Sequence, residues 1–371
     1  MAMHVPVLKF VRVEIHPESP EPDARSGHRI AVDDGNLYSL GGYNPRYWEQ
    51  ENDDESNYPL FRELWKLNFS TRKWQKIKTT GYMPKELASH AVLKHGTHLV
   101  VMGGTGVPFG ETASNKLHVC SMRDWKWREV PCDGDPPTAT YGHSMVIVED
   151  NLFTFGGTTG WQYNADIHCL SLQSCTWQLL SPIGNPPAGR YRHEIAYYEG
   201  YLYVFGGGRS NESYDFETIS AFSLASREWE LKRSVADRKH GVPKPRRCHG
   251  CVHRKQEVFL CGGYDGQDIF GDIWKIHLPT MRWTKLETVM PEPSYFHALS
   301  ITDAGQMFSY GGVVEIDKVR TPHVYSIWLE IPSLKEICWQ LVTRTLPNLS
   351  PEQYQGLLEI GVPTDLLARL S

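Results

Sequence analysis

The 371-residue chain has no apolar run near the roughly 18 residues a membrane-spanning helix needs. Its opening stretch, MAMHVPVLKFVRVEIHPESP, holds no apolar segment long enough for a signal-peptide core. A cytoplasmic or nuclear location, away from the membrane, is therefore expected. Positive charge is scarce as well: 38 Lys+Arg stand against 43 Asp+Glu, a formal net charge of -5. That speaks against nucleic-acid binding through bulk charge, although a local basic patch stays compatible with it. The cysteines, at 120, 132, 169, 175, 248, 251, 261 and 338, lack the spacing of a small-domain disulfide framework. Free thiols are expected, and the Asn-x-Ser sequons at Asn68, Asn211 and Asn348 then carry no meaning. No phosphate-binding loop and no Ser/His/Asp order occurs, and paired carboxylates fall in one acidic insertion. Cys248, His249, Cys251, His253 and Cys261 are of metal-ligand type. Strand alternation, however, sends Cys248 and His249 to opposite faces, so no metal and no cofactor is expected.

What the chain does have is glycine, proline and tryptophan, in 32, 24 and 12 copies. That mixture reads as short strands joined by many turns. Glycine pairs recur at Gly41-Gly42, Gly103-Gly104, Gly156-Gly157, Gly206-Gly207, Gly262-Gly263 and Gly311-Gly312, each after a short apolar run. A histidine precedes the first glycine by 13 residues at His28, His90, His143, His193 and His249, and by 14 at His297. An alternating run follows each pair, and a tryptophan lies nine residues beyond its centre at Trp74, Trp127, Trp177, Trp229 and Trp283. Each unit thus holds four strands: a at the His, b ending in the glycines, c the alternating run, d at the Trp. A histidine repeated at one phase reads as structural rather than catalytic. The tryptophan is expected to cover the blade flank and pack on the next blade.

Units of about 50 residues with four strands match the kelch propeller pattern. The chain resembles a kelch protein over nearly its whole length. The fold expected is all-β, a six-bladed kelch β-propeller over residues 1–330, followed by a short α-helical tail over 333–371. The sixth unit lacks a strand d of its own. LKFVRVEI, residues 8–15, supplies one, with Phe10 at the tryptophan phase. The N-terminal strand is expected to complete blade six and so hide both sheet edges.

In the tail, apolar residues at 334, 337, 338, 341 and 342 form the stripe of an amphipathic helix, with Ser333 and Glu336 as a capping box. A second helix is expected over Pro351 to Ile360, capped by Ser350 and Gln353 and ended by Gly361, and a third after Val362-Pro363. So few residues cannot bury three apolar faces alone, so they must dock on the propeller or on a partner.

Ser333-Leu334-x-x-x-Cys338-x-x-x-Val342 resembles a BC box, the helix by which substrate receptors engage Elongin C. Val362-Pro363-Thr364-Asp365-Leu366 resembles a Cullin-2 box. A six-bladed kelch domain followed by this tail is similar to the kelch-domain C-degron receptors of Cullin-2 RING ubiquitin ligases. The resemblance implies a non-catalytic receptor with Elongin B/C and Cullin-2 as partners. Its adaptor contacts would be Leu334, Cys338, Leu341, Val342, Pro363 and Leu366. Its substrates would be proteins read by their C-terminal peptides, commonly ending in glycine.

In such a propeller the d–a and b–c loops open on one face around the axis. Positions just before each His, and the loops after each glycine pair, then face the mouth. They hold Tyr43, Ser89, Tyr141, Tyr191, Arg192, Arg247 and Tyr295, with Trp161, Tyr163 and Arg209. Arginines suit a peptide carboxylate and aromatics its last side chains. Arg192, Arg209 and Arg247 come from blades four and five and are expected to converge. Arg25, Arg190 and Arg246 precede the inward phase. Arg209 matches an arginine-bearing loop of the family's diglycine receptor, whereas Arg247-Cys248 departs from its Ser-Trp. Two other classes remain open: a kelch scaffold for actin or a signalling partner, and a propeller enzyme such as an oxidase.

Overall fold

A computed structural model describes residues 8–47, 59–346 and 354–370. The acidic part of the first insertion and the expected caps Ser350, Pro351 and Gln353 lie outside the described residues. The chain folds into six blades of four antiparallel strands, and blades two and three each gain a fifth, parallel two-residue strand at Thr80–Gly81 and Asp133–Gly134. Blade one comprises Arg29–Val32, Asn36–Leu40, Leu64–Asn68 and Lys73–Ile77. Blades two to five repeat that order, and blade six contributes Ala298–Ile301, Gln306–Tyr310 and Val324–Trp328. Its fourth strand is Val11–Arg12, antiparallel to Val324–Trp328 in the register Val11↔Ser326. Backbone bonds from Leu8 N to Trp328 O (2.9 Å) and Val13 N to Val324 O (2.9 Å) lengthen that pairing. The strand is shorter than the expected 8–15 but occupies the expected place.

Six separate apolar cores fill the six blade junctions. Each strand-d tryptophan packs against the preceding blade, not the next one as expected: Trp74 meets blade six at Tyr310, and Trp283 meets blade four at Phe205 and Phe216. Phe10 takes the same role for blade six, buried with Val252, Phe259 and Ile327. An aromatic on strand d is therefore the part of each blade that its upstream neighbour buries.

The glycine pairs and histidines form one inter-blade device. At Gly156 (φ 71°) an added Cβ would lie 2.6 Å from His193 Cε1 of the following blade. At Gly157 (φ 94°) it would lie 3.0 Å from the Cβ of its own blade's His143. The pattern holds in every blade and closes with His28 under Gly311. Two adjacent glycines are needed because one admits the next blade's imidazole and the other its own blade's. All six histidines are buried, and burial is the largest cause lowering each pKa, to about 4 in His143 and His297 and about 3 in His249. They are neutral packing elements.

Arg25, Arg190 and Arg246 are buried clamps. Each donates Nη1 to the carbonyl of its blade's first glycine, at 3.0 Å in all three cases. Each guanidinium also lies over an aromatic ring, Phe61, Tyr214 or Phe270, at 4.1–4.3 Å. Arg25 pairs with Glu63 (2.6 Å) and Arg246 with Asp272 (2.5 Å).

The tail forms α1 (Leu334–Thr345), α2 (Tyr354–Glu359) and α3 (Thr364–Leu367). Ser333 caps α1 by accepting from Glu336 N at 3.3 Å. The Glu336 carboxylate does not close the expected box; it takes both Arg369 Nη atoms at 2.7 Å. Trp339, Leu357, Leu366, Leu367 and Leu370 make a small core of their own. That core docks on blade one: Asn68 Nδ2 donates to Arg369 O (2.8 Å), and Gly35 leaves room that a Cβ would close to 3.1 Å from Arg369. No helix among the described residues is long and apolar enough to cross a membrane.

Candidate functional site

The residue before each repeated histidine adopts a positive φ: Gly27 (67°), Ser89 (57°), Gly142 (66°), Arg192 (54°), Cys248 (58°) and Phe296 (55°). This backbone aims each N–H at the preceding blade. Ser89 N donates to Gly27 O (2.8 Å), Gly142 to Ser89 (2.7 Å), Arg192 to Gly142 (2.7 Å), Cys248 to Arg192 (3.0 Å), Phe296 to Cys248 (2.9 Å) and Gly27 to Phe296 (3.0 Å). Six residues, one per blade, thus close a ring of backbone hydrogen bonds around the axis. Four of them are not glycine, and a left-handed residue with a side chain costs about 1–2 kcal/mol. Such strain persists where the surroundings over-determine it, and often where function needs it.

Above the ring opens a pocket of about 480 Å³. Tyr43, Ser89, Tyr141, Tyr191, Arg192 and Tyr295 line it, as the spacing predicts. Phe296 joins them, and so do Phe109 and Arg320, which sequence reasoning missed. Both missed residues sit well past their glycine pairs, beyond the positions that a fixed phase can reach. Arg320 pairs across a hairpin with Val313. The walls are aromatic: Tyr43 meets Phe109 edge-on at 4.8 Å, and Tyr295 stacks on Tyr264 at 4.8 Å.

Arg192 is the buried cation of the floor. Its Nη2 donates to Ser89 Oγ, and its guanidinium lies 4.5 Å above Phe296. Its Nε has no hydrogen-bond partner, and it makes no ion pair among the described residues. Burial, and secondly Arg29, lower its pKa to about 10, so it remains charged at neutral pH. Arg320, half-buried at the rim, reaches Ser26 Oγ (3.4 Å) and the carbonyls of Asp317 (3.4 Å) and Lys318 (3.3 Å). Two cations and a ring of aromatics with donors to spare suit an anionic group carried on an apolar or small chain.

The expected convergence of three arginines does not occur: only Arg192 reaches the axial pocket. Arg247 turns sideways, donating to Ser213 Oγ (2.8 Å) and Ser210 O (3.1 Å), and lines a separate cleft of about 610 Å³ with Lys244 and Asp265. Arg209 is exposed, with Nε donating to Gly189 O (3.1 Å). The neighbouring Gly208 makes the inward bridge to Tyr191, so alternation turns Arg209 outward. Trp161 sits on a turn tip and is 87% exposed. Tyr163 flanks the pocket, 5.7 Å from Tyr191 and bonded to Ser210 Oγ at 2.6 Å. Cys248 packs with Tyr295 and Val313, and His249 lies against Gly206 and Gly263 between blades; among the described residues no group of three metal-ligand side chains is found.

Comparison with known families matches residues 7–157 and 158–345 to the KLHDC2/KLHL20/DRC7 Kelch-repeats domain. The chain belongs to the kelch-repeat family. Among curated proteins, this kelch chain is 44% identical to Kelch domain-containing protein 10 of Rattus norvegicus, over 98% of its own length and 90% of the rat protein. It is 44% identical to the Homo sapiens protein of that name, over 98% of this chain and 83% of the human one. The Drosophila melanogaster homolog is 38% identical, over 94% of this chain and 62% of the fly protein.

The kelch domain's tail presents a second surface. On α1, Trp339 and Val342 pack on the tail core, and Leu334 (75% exposed), Cys338 and Leu341 lie on the adjoining, solvent-exposed face. The expected stripe is thus divided: Val342 joins Trp339, a residue outside the stripe, at the tail core, and Leu334, Cys338 and Leu341 are left outside. Pro363 is exposed, whereas Leu366 is buried in the tail core and offers a partner nothing.

Proposed function

We propose that the protein is the substrate-recognition subunit of a Cullin-2–Elongin B/C ubiquitin ligase. The propeller pocket takes a substrate's C-terminal peptide, its carboxylate on Arg192 and its last side chains among Tyr43, Phe109, Tyr191 and Tyr295. The exposed face of α1, with Leu334, Cys338 and Leu341, takes the adaptor, and the exposed Pro363 serves the cullin. The receptor carries out no bond chemistry; it holds a substrate where its lysines meet a ubiquitin-charged enzyme. The observation that carries the reading is a buried, unpaired arginine at the floor of an aromatic pocket. Residence of such a cation without a carboxylate is costly unless a ligand supplies one.

Two measurements test it. Purified protein screened against peptides with free C-termini is expected to select a shared terminal sequence, and the amidated peptides are expected to lose. Elongin B/C and Cullin-2 are expected to co-purify with the full chain and to be lost on Leu334→Ser with Cys338→Phe. Both sites are exposed, so the fold should survive these changes. Wild-type protein that brings down neither partner would end the ligase reading, leaving the scaffold class. A redox spectrum of the purified protein tests the oxidase class.

A further inference from the structure

Beneath the backbone ring the axial channel is crossed by an ion pair. Arg29 opens strand a of blade one and Glu194 opens strand a of blade four. In a ring of six these blades stand opposite each other. Arg29 Nη1 meets Glu194 Oε1 at 2.9 Å, and Arg29 Nε donates to His90 O at 3.2 Å. Both side chains are largely buried, at 15% and 17% exposure. The pair separates the upper pocket from a lower chamber of about 600 Å³ that Ala31, Val92, Val146 and Leu299 help to line.

Glu194 is two residues beyond Arg192 in the chain, and its charge acts on Arg192. Arg29 lowers the Arg192 pKa and Glu194 raises it. Glu194 is therefore the near carboxylate that an unpaired Arg192 would be expected to capture. It does not do so; its Oε1 lies on Arg29 from across the axis. Cys248, also beside Arg192, is no competitor: burial pushes its thiol up to about 12 and keeps it neutral.

We infer that Arg29 is a positioning residue: by sequestering Glu194 it keeps Arg192 unpaired and open to the terminal carboxylate of a ligand. The inference rests on the pocket reading above and adds the internal competitor that the pocket must suppress. It gives three linked expectations. Without Arg29, Glu194 turns to Arg192 and competes with any incoming anion. Without both, Arg192 is free again. With lysine at 29, the charge is kept and Glu194 stays held.

The test uses the full chain with ¹⁵N-labelled arginine and two probes, a decapeptide ending in Gly-Gly as free acid and as C-terminal amide. In wild type the Arg192 Nε–H signal is expected to exchange and shift as an unbonded group. In Arg29→Met it should move as a hydrogen bond to Glu194 forms, and free-acid affinity should fall roughly tenfold or more. Amide affinity should not change. Arg29→Met with Glu194→Gln should restore both signal and affinity, and Arg29→Lys should leave both near wild type. The double variant also reports whether loss in the single one is only misfolding. An Arg192 signal unmoved by Arg29→Met overturns the inference. A signal that moves as expected in a protein that binds neither probe nor any free-acid peptide from a terminal library overturns the pocket reading alone.

Discussion

Blade junctions and the axial floor both bury arginines, and they treat them in opposite ways. At the junctions, Arg246 has its Nη atoms on Gly262 O and Asp272 and its plane on Phe270. Every feature of the guanidinium is answered. On the floor, one strand register away, Arg192 has one hydroxyl, one ring face and an unanswered Nε. The R-Y-R segment at Arg190 to Arg192 carries one of each kind within three residues. A satisfied buried cation holds a fold together; an unsatisfied one leaves donors open. The comparison can be sharpened or broken by experiments that act on one region and leave the other intact.

The largest expected effect is on ring closure. Deletion through Ile15 removes Phe10 from the junction of blades five and six and uncovers the edge of Val324–Trp328. Its melting temperature should drop by about 10 °C or more, as measured by thermal unfolding. An unchanged curve would mean the N-terminal strand is dispensable.

Next comes the junction clamp. Arg246→Ala leaves the partly buried Asp272 carboxylate beside Trp274 with its ion partner gone. A loss of about 3–5 kcal/mol in chemical denaturation is expected, with peptide affinity of the folded protein nearly unchanged. Arg192→Met, the matching change on the floor, should cost less than about 1 kcal/mol, or even stabilise, since it removes a desolvated charge that the fold does not answer. Equal costs at the two sites would erase the distinction drawn between them.

Acid acts on the junctions through the buried histidines. Their pKa values are lowered in the folded protein, so the unfolded chain binds protons first as pH falls below about 6.5. Their contribution is full above that pH and is lost on the way down to the folded values, about 4 for His143 and about 3 for His249. Each such histidine costs up to about 2 kcal/mol between pH 6.5 and 5. Denaturation midpoints that stay flat across that interval would contradict neutral burial. Smallest of all is Trp161→Ala. With 87% of its surface exposed, it should shift stability by less than about 0.5 kcal/mol and leave peptide binding untouched.

The fold was legible because its signals are local and repeated. A histidine, a glycine pair and a tryptophan at fixed spacing are six copies of one steric problem, and Phe10 could be placed by counting from it. The pocket was legible only where it shares that phase, as with Ser89, Tyr141, Tyr191, Arg192 and Tyr295. Arg320 and Phe109 arrive from loops of irregular length, which no period reaches. Arg247 and Arg209 were misplaced for another reason. Loop position fixes which backbone faces the axis, but the side chain's direction depends on partners from the neighbouring loop, here Ser210, Ser213 and Gly189. The tail was misread in one respect. The first helix forms where it was expected, yet its buried positions are Glu336 and Trp339 rather than the stripe, a face set by Trp339 and by the Glu336–Arg369 pair, a contact across 33 residues.

The central claim is that an unanswered Arg192 marks a carboxylate site. Its most direct test is calorimetric titration of wild type and Arg192→Met with one peptide selected from a terminal library, as free acid and as amide. The account predicts that wild type binds the free acid at least tenfold more tightly than the amide, and that Arg192→Met, still folded, no longer distinguishes them. Equal affinity of wild type for the two forms, or full discrimination retained in Arg192→Met, would contradict it.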